Sequence, residues 1–414
     1  GFYDLADNLV RSYEPKDANG STVATSILSK CEDEHLFTMF SDLDATGSAE
    51  WSNANPIDMM LGDAGLMETW RGELARDWFD VYAVKRVGRD SGVTVRQGKN
   101  PTPLIIRDHL QRDDFTLEFA GDAPTERRAN LKIQDGCNFM CSFCVIPFAR
   151  GRSRSREMGN LLDEARALIA RGAKELVLTG VNLGCYTCEG LTIVDVVNNL
   201  NGLPGLARIR ISSIEPTTVP GELLDCMAEP AHALAPYLHL PLQSGSDAVL
   251  RRMKRRYTRR EFVEFVETAC RRVPDLCVGT DILVGMPGES DAEFEETCAV
   301  LRDAPIAYAH VFKYSERDGT ASQRMPDKVD PKTANRRSAR IRRISAAKRQ
   351  AFYERYLGAS VEVLFEQQQD GWWEGYTGNY VRVAARSSKR LRNEFGRVRV
   401  ESIRGDIAIG ALND

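Results

Sequence analysis

The chain has 414 residues, 43% of them hydrophobic and 28% charged, which is too long for one ordinary core, since single cores stop growing at roughly 250–300 residues. Two or three domains are therefore expected, and with 55 Lys and Arg against 59 Asp and Glu the net charge of −4 excludes a protein coated in basic residues for nucleic acid. No run of about 18 apolar residues is present to span a bilayer, and the first residues lack a basic-then-apolar leader, so no membrane partner and a cytoplasmic location are expected.

Residues 1–125 read as a separate α/β domain, with a helix over Val23–Met39 and strands over Trp78–Val87, Leu104–Arg107 and Thr116–Phe119. From about Leu131 to Tyr314, β-branched runs alternate with amphipathic stretches. The runs are Leu131–Gln134, Glu175–Thr179, Arg208–Ser212, Tyr237–Pro241, Val278–Val284 and Ala307–Phe312; the helical stretches between them include Leu161–Arg171, Leu191–Leu200, Arg259–Arg272 and Asp291–Leu301. Six such units over residues 126–327 predict an α/β architecture, a partial (β/α)6 barrel with its chemistry at the C-terminal ends of the strands. A segment over 328–357, dense in Arg and Lys and free of Gly and Pro from Lys332 to Tyr356, predicts one basic helix. Short alternating runs over 358–414 predict a small antiparallel β-barrel of OB-like size.

Ten cysteines in a chain expected in the cytoplasm are poor candidates for disulfides, and clustered ones point to metal or catalysis. The segment LKIQDGCNFMCSFCVIPFARGRSRSR follows a predicted strand and sets Cys137, Cys141 and Cys144 in a C-x3-C-x2-C loop. Three thiolates can hold three irons of a four-iron cubane and leave the fourth iron without a protein ligand. A structural zinc site would want a fourth Cys or His, and no His lies near the triplet in sequence.

The triplet, with Phe143 before its last cysteine, resembles the cluster loop of the radical S-adenosylmethionine superfamily. Together with ELVLTGVNLG, RIRISSIEP, LHLPLQSGSDAVLRRMKRRYT and TDILVGMPGE, it resembles the methylthiotransferases that modify adenosine 37 of tRNA. FKYSERDGTASQRMPDKV and EVLFE…WWEGYTGNYVRV resemble the branch acting on threonylcarbamoyladenosine. The resemblance implies a radical SAM barrel in which Cys137, Cys141 and Cys144 ligate a [4Fe–4S] cluster and S-adenosylmethionine binds its free iron. It also implies that Phe143, Thr179, Gly180, Glu215, Gln243 and Val284 line the cofactor pocket. In such enzymes a 5′-deoxyadenosyl radical abstracts hydrogen from an unactivated C–H position, sulfur is delivered there, and a second S-adenosylmethionine methylates it. An electron donor such as flavodoxin or ferredoxin, and a monomeric protein, are expected with it. The terminal barrel resembles the family's TRAM module, which binds RNA.

Two segments bear on RNA. The barrel offers Trp372, Trp373, Tyr376 and Tyr380 beside Arg382, Arg386, Lys389, Arg390, Arg392, Arg397 and Arg399, a mixture of stacking surface and positive charge. The basic helix adds Arg336, Arg337, Arg340, Arg342, Arg343, Lys348 and Arg349, with Arg340 and Arg343 as candidate phosphate contacts alongside Arg382 and Arg386.

The family's N-terminal domain carries three cysteines for an auxiliary cluster, whereas residues 1–125 here hold one, Cys31. The loop GVNLGCYTCEG instead places Cys185 and Cys188 where the family has Ser-Tyr-Gly. With Cys31 this pair could rebuild a three-thiolate site for a second [4Fe–4S] cluster; the alternative is two incidental thiols. The leading expectation is methylthiolation of tRNA at C2 of a modified adenosine 37. Its rivals are a radical step on a small nucleoside substrate and an RNA-binding paralogue without turnover.

Overall fold

The computed structural model describes residues 79–87, 90–97 and 128–413, and the chain divides into two compact units, 1–111 and 112–414. In the first unit β1 (Phe79–Val87) and β2 (Asp90–Gln97) form an antiparallel hairpin with an irregularity between Val81 and Ala83. The strand expected over Trp78–Val87 is thus present. The expected elements Val23–Met39, Leu104–Arg107 and Thr116–Phe119, and Cys31, lie outside the described residues.

In the second unit β3 (Ala129–Lys132) leads through the two-residue β4 (Gln134–Asp135) into the cysteine loop. The loop contains α1 (Ile146–Arg150) and returns as β5 (Arg154–Ser155). Then follow α2 (Met158–Ala170), β6 (Glu175–Thr179), a small ribbon of β7 (Thr187–Cys188) and β8 (Leu191–Thr192), and α3 (Ile193–Asn201). The alternation continues with β9 (Arg208–Ile211), α4 (Gly221–Ala228), β10 (Tyr237–His239), α5 (Asp247–Arg252), α6 (Arg259–Arg272), β11 (Cys277–Val284), α7 (Asp291–Asp303) and β12 (Tyr308–Lys313).

Strands β3, β6 and β9 form one parallel sheet and β10, β11 and β12 another. The two join where the Ile209 amide donates to Ala233 O and the Ala235 amide to Ile209 O, each at 2.8 Å. The result is the six-stranded partial barrel expected from the alternating runs. Strands β9 and β11 are buried nearly throughout, as parallel strands covered by helices must be, whereas β12 at the edge of its sheet is largely exposed from His310 onward. Leu131, Leu176, Leu178, Ile209, Ile211, Leu238, Val278 and Ile282 meet Leu161, Leu168, Val196, Leu200, Phe262 and Val266 from the helices in one core. Helix starts follow local chemistry. Thr192 with Asp195, Thr258 with Glu261 and Ser290 with Glu293 form capping boxes at α3, α6 and α7, each cap contributing about 1 kcal/mol.

After β12 the chain crosses the C-terminal end of the barrel and enters α8 (Pro331–Glu354), with Pro331 in its first turn and the Asp330 carboxylate accepting the Lys332 and Thr333 amides. Its 24 residues extend about 36 Å, down the outside of β12 and α7 to the N-terminal ends of the strands. There β13 (Ser360–Gln369), β14 (Trp372–Tyr376), β15 (Arg382–Arg386), β16 (Phe395–Arg404) and β17 (Ile407–Leu412) close a barrel in the order 13-14-15-17-16. This corrects the antiparallel expectation in one respect. β15 and β17 pair parallel, with Val383 opposite Ala408, because five strands closed into a ring cannot alternate direction at every pair, so at least one pair must run parallel.

The joint between the two barrels sets a buried ion cluster beside a shared apolar cluster of Tyr237, Cys277 and Tyr308 with Val381 and Val383. Glu175, at the first position of β6, has no exposed surface; the Arg210 guanidinium donates to its Oε1 at 2.7 Å and Arg208 to its Oε2 at 3.1 Å. The same two arginines donate to the carbonyls of Tyr376, Thr377 and Gly378 in the β14–β15 turn. Arg210 also lies 4.8 Å from the Tyr380 ring, which stacks on Tyr376 at 4.9 Å. Burial would raise the Glu175 carboxyl, but the two guanidinium groups override it and hold it below the usual carboxylate range.

Glu175→Gln should leave the buried Arg210 without a charge partner and Arg208 with only the more distant Glu362 at 3.5 Å, and destabilise the protein by about 3–5 kcal/mol, measured as a lower denaturant midpoint at pH 7. Because the folded-state pKa of Glu175 is depressed, its contribution is complete above the ordinary glutamate range and is lost as pH falls through it. The gap between the variant and the unmutated protein should therefore close below about pH 4.

Candidate active site at the barrel mouth

The cysteine loop leaves the C-terminal end of β3 and is clasped at its base by the β4–β5 ribbon. Gly136 makes the closure possible: its φ is +68°, and a Cβ there would come within 2.0 Å of Arg152 O. The Cys137 amide donates to Gly151 O across the same neck at 3.2 Å. Asp135 draws in Lys132 at 3.0 Å, Arg150 at 3.2 Å and Arg154 at 3.3 Å. Burial pushes its carboxyl up, but these cations and the Gly136 amide pull it down to about 2.

Gln134, not singled out from the sequence, is fully buried and makes five hydrogen bonds. Its Nε2 donates to Asp135 O and Gly136 O at 2.8 Å and to Ser153 Oγ at 2.9 Å; its Oε1 accepts the Val181 and Asn182 amides at 2.8 and 3.0 Å. One side-chain amide therefore joins the cysteine loop to the loop after β6. Gly180 lies in that joint, where a Cβ would meet Leu183 Cδ2 at 2.8 Å and Gln134 Oε1 at 2.9 Å.

All three cysteines of the loop are half-buried. Burial, reinforced by the neighbouring cysteines, pushes Cys137 up and Cys144 up to about 11. Opposing this, Arg255 donates to Cys141 Sγ at 3.3 Å. The same guanidinium pairs with the Glu215 carboxylate, donates to Pro241 O at 3.2 Å and lies against the Tyr257 hydroxyl at 2.9–3.0 Å. Burial raises the Glu215 carboxyl against the pull of Arg255. Glu215, predicted on the cofactor pocket, thus reaches a cysteine of the loop through Arg255, which sequence reasoning missed; the run RRYT after α5 carried no spacing signal for it.

The remaining predicted residues divide. Phe143 packs beside Val249, Met253, Leu283 and Met286 as an apolar wall at the mouth. Thr179 ends β6, its carbonyl accepting the Ile133 amide at 3.0 Å. Gln243 holds a φ of +65° and clamps β11, its amide donating to Asp281 O at 2.8 Å and its carbonyl accepting the Leu283 amide at 2.9 Å. A non-glycine residue in that conformation is strained and marks a position held by its surroundings. Val284 is wholly buried in the main core, so only its backbone is near the mouth. Cys185 is half-buried, accepts the Asn182 side-chain amide at 3.0 Å, and is pushed up to about 11 by burial and by the proximity of Cys137. Cys188 is buried in the apolar core, because the two-residue β7 turns its alternate positions to opposite sides.

On the RNA side, Arg340 pairs with Glu295 and Arg382 with Glu374 at 2.7 Å and Asp406 at 3.5 Å. Arg337 is buried between Glu289 and Asp291, so it belongs to the packing of α8 on α7. Trp373 is core, and Tyr376 and Tyr380 lie in the joint between the barrels under Arg128 and Arg210. Arg343 and Arg386 stay exposed, Arg386 lying 4.8 Å above the Trp372 ring.

The donor set at the mouth suits an iron–sulfur cluster. Three thiols stand on one short loop, a buried guanidinium touches one of them, and Ser142 Oγ beside Cys141 is buried without a hydrogen-bond partner in the protein. No three His, Cys, Asp or Glu side chains among the described residues gather tightly enough for a single metal ion; ligands of a larger cubane need not. Gly136→Ala should hold the neck of the loop open while the barrel core stays intact. The expected outcome is a several-fold loss of iron after anaerobic reconstitution with an unchanged far-UV circular dichroism spectrum.

Comparison with known proteins gives the family. Residues 131–301 match the radical SAM superfamily domain. The chain is 36% identical to the threonylcarbamoyladenosine tRNA methylthiotransferase of Aquifex aeolicus over 68% of either chain, and 34% identical to a putative methylthiotransferase of Helicobacter pylori over 70% of either chain. It is also 34% identical to the threonylcarbamoyladenosine tRNA methylthiotransferase of Bacillus subtilis, matching 66% of this chain but spanning only 62% of that protein's length. With identities of 36% and 34% over more than two thirds of the Aquifex and Helicobacter proteins, the chain belongs to the radical S-adenosylmethionine methylthiotransferase family.

Proposed function

We propose that this protein inserts sulfur, finished as a methylthio group, at an unactivated C–H position of tRNA, at C2 of a modified adenosine 37. The observation that carries the reading is the convergence at one barrel mouth of three loop thiols, the Arg255–Glu215 pair and the strained Gln243 turn. The names of its relatives supply the substrate class. Electrons would come from a small donor such as flavodoxin or ferredoxin, and the protein would act as a monomer.

Cys137, Cys141 and Cys144 would hold a [4Fe–4S] cluster, which supplies the electron for reductive cleavage of S-adenosylmethionine. The chain's own residues then do the following. Burial that favours the neutral thiols of Cys137 and Cys144 means that ligation must release protons. Arg255 offsets the negative charge left behind and is itself held by Glu215, Pro241 and Tyr257, so its charge does not wander into solvent. Phe143 and its apolar neighbours offer a face for an adenine ring.

Two outcomes are expected. Cys141→Ala should abolish cluster-dependent formation of 5′-deoxyadenosine with the fold intact, and the unmutated protein should add a methylthio group to tRNA, read by nucleoside mass spectrometry. Reductive cleavage persisting in the variant would overturn the reading, and a product found on a free nucleoside but never on tRNA would move the substrate to small molecules. A second cluster is proposed with Cys185 as one ligand, Cys188 and Cys31 being the other candidates. Anaerobic reconstitution should then give about eight irons per chain, falling to about four in Cys185→Ala. About four in both proteins would leave Cys185 a lone thiol at the mouth.

A further inference from the structure

The basic residues of α8 divide by what they face. Arg336, Arg337 and Arg340 turn to Asp291, Glu289 and Glu295 at or near the start of α7, and Lys348 donates to the carbonyls of Arg302 and Ala304 at its end. Arg342, Ser345, Ala346 and Arg349 recur at i, i+3, i+4 and i+7, the spacing of one helix face. With Ala309–Phe312 of β12, the end strand of its sheet, they line a groove of about 370 Å³.

The strand edge in this groove is occupied at Ala309. Ser345 Oγ accepts the Ala309 amide at 2.8 Å and donates to Ala309 O at 2.9 Å, so an added β-strand would find those groups taken. What the groove still offers is an aromatic face and positive charge. Phe312 is 52% exposed, one of two large hydrophobic residues so exposed among the described residues. Among the described residues neither Arg342 nor Arg349 has an ion-pair partner; Arg349 lies over the face of Tyr308 at 4.9 Å, and no carboxylate lines the groove. Its position adds to this. The terminal barrel sits at the N-terminal ends of the strands and the cysteine loop at the C-terminal ends, and α8 runs the distance between them.

We propose that this groove seats a single-stranded segment of the RNA substrate, with one base stacked on Phe312 and the adjoining phosphates held by Arg342 and Arg349. The inference rests on the proposed action on tRNA and names the surface along which the RNA would pass from the terminal barrel to the mouth. An aromatic platform flanked by arginines is how single strands are bound without dependence on sequence, and the lack of acid in the groove favours a polyanion over a protein segment.

The test uses the full chain, reconstituted anaerobically, with tRNA binding measured over a range of salt. Phe312→Ala should weaken binding by roughly 5- to 150-fold, the loss of one stacked base, with the salt dependence unchanged. Arg342→Gln with Arg349→Gln should lower the log–log salt slope by about 1.4, two single-strand phosphates. Cleavage of S-adenosylmethionine without RNA should be unchanged in both. A photoreactive phenylalanine analogue at position 312 should cross-link to tRNA. If the unmutated protein binds tRNA and the variants match it in affinity and slope, the groove inference fails and the tRNA reading stands. If the unmutated protein binds no tRNA, both fail. A cross-link from position 312 to a peptide of residues 1–111 instead of RNA would show a protein contact there and overturn the inference.

Discussion

A carboxylate without exposed surface, Glu175, held between Arg208 and Arg210, gives this molecule its polarity. The charge sits at the first position of β6 and the guanidinium groups at the first and third positions of β9, so the pairing lies at the N-terminal end of the partial barrel. A buried ion group of this kind is tolerable only when every partner is supplied. Here the surplus donors go to the carbonyls of the β14–β15 turn, which fixes the terminal barrel over that end. With the N-terminal ends covered, the opposite ends of the strands are left for chemistry, where parallel (β/α) barrels carry it.

At that mouth two buried side chains not of the cysteine loop do most of the positioning. Gln134 spends all its hydrogen-bonding capacity on backbone and Ser153, joining the loop after β3 to the loop after β6. Arg255 joins the same loop to the segment after β9 through Glu215 and to the segment after β10 through Pro241. Each acts where the dielectric is low and an unmade bond is expensive, so the loop holds one geometry instead of several.

Charge is arranged differently on the outside. Much of the positive charge of α8 is consumed by α7, which reduces a strongly basic helix to a helix with one basic face. The same holds for the terminal barrel, where Arg382 answers Glu374 and Asp406 while Arg386 covers Trp372. A chain with net charge −4 can still present a polyanion surface, provided the uncompensated cations lie along one track.

The sequence by itself determined the architecture and the chemistry of the loop. The alternating runs from Leu131 to Phe312 mark six strands because parallel strands covered by helices are apolar at most positions, and the helices announce themselves by capping chemistry as local as Thr258 with Glu261. The C-x3-C-x2-C spacing is local too, since all three thiols belong to one loop. What only the tertiary structure decided are relations between distant residues: Gln134 with Asn182, Cys141 with Arg255, Glu175 with Arg210. Tertiary packing also left Cys185 half-buried and Cys188 buried, and sent Arg337, Tyr376 and Tyr380 into interfaces where their composition had suggested RNA. The reason is physical: periodicity and spacing report which face of an element a residue occupies, but the partner that face meets is set by how the elements pack, and a buried charge reads the same in sequence as an exposed one.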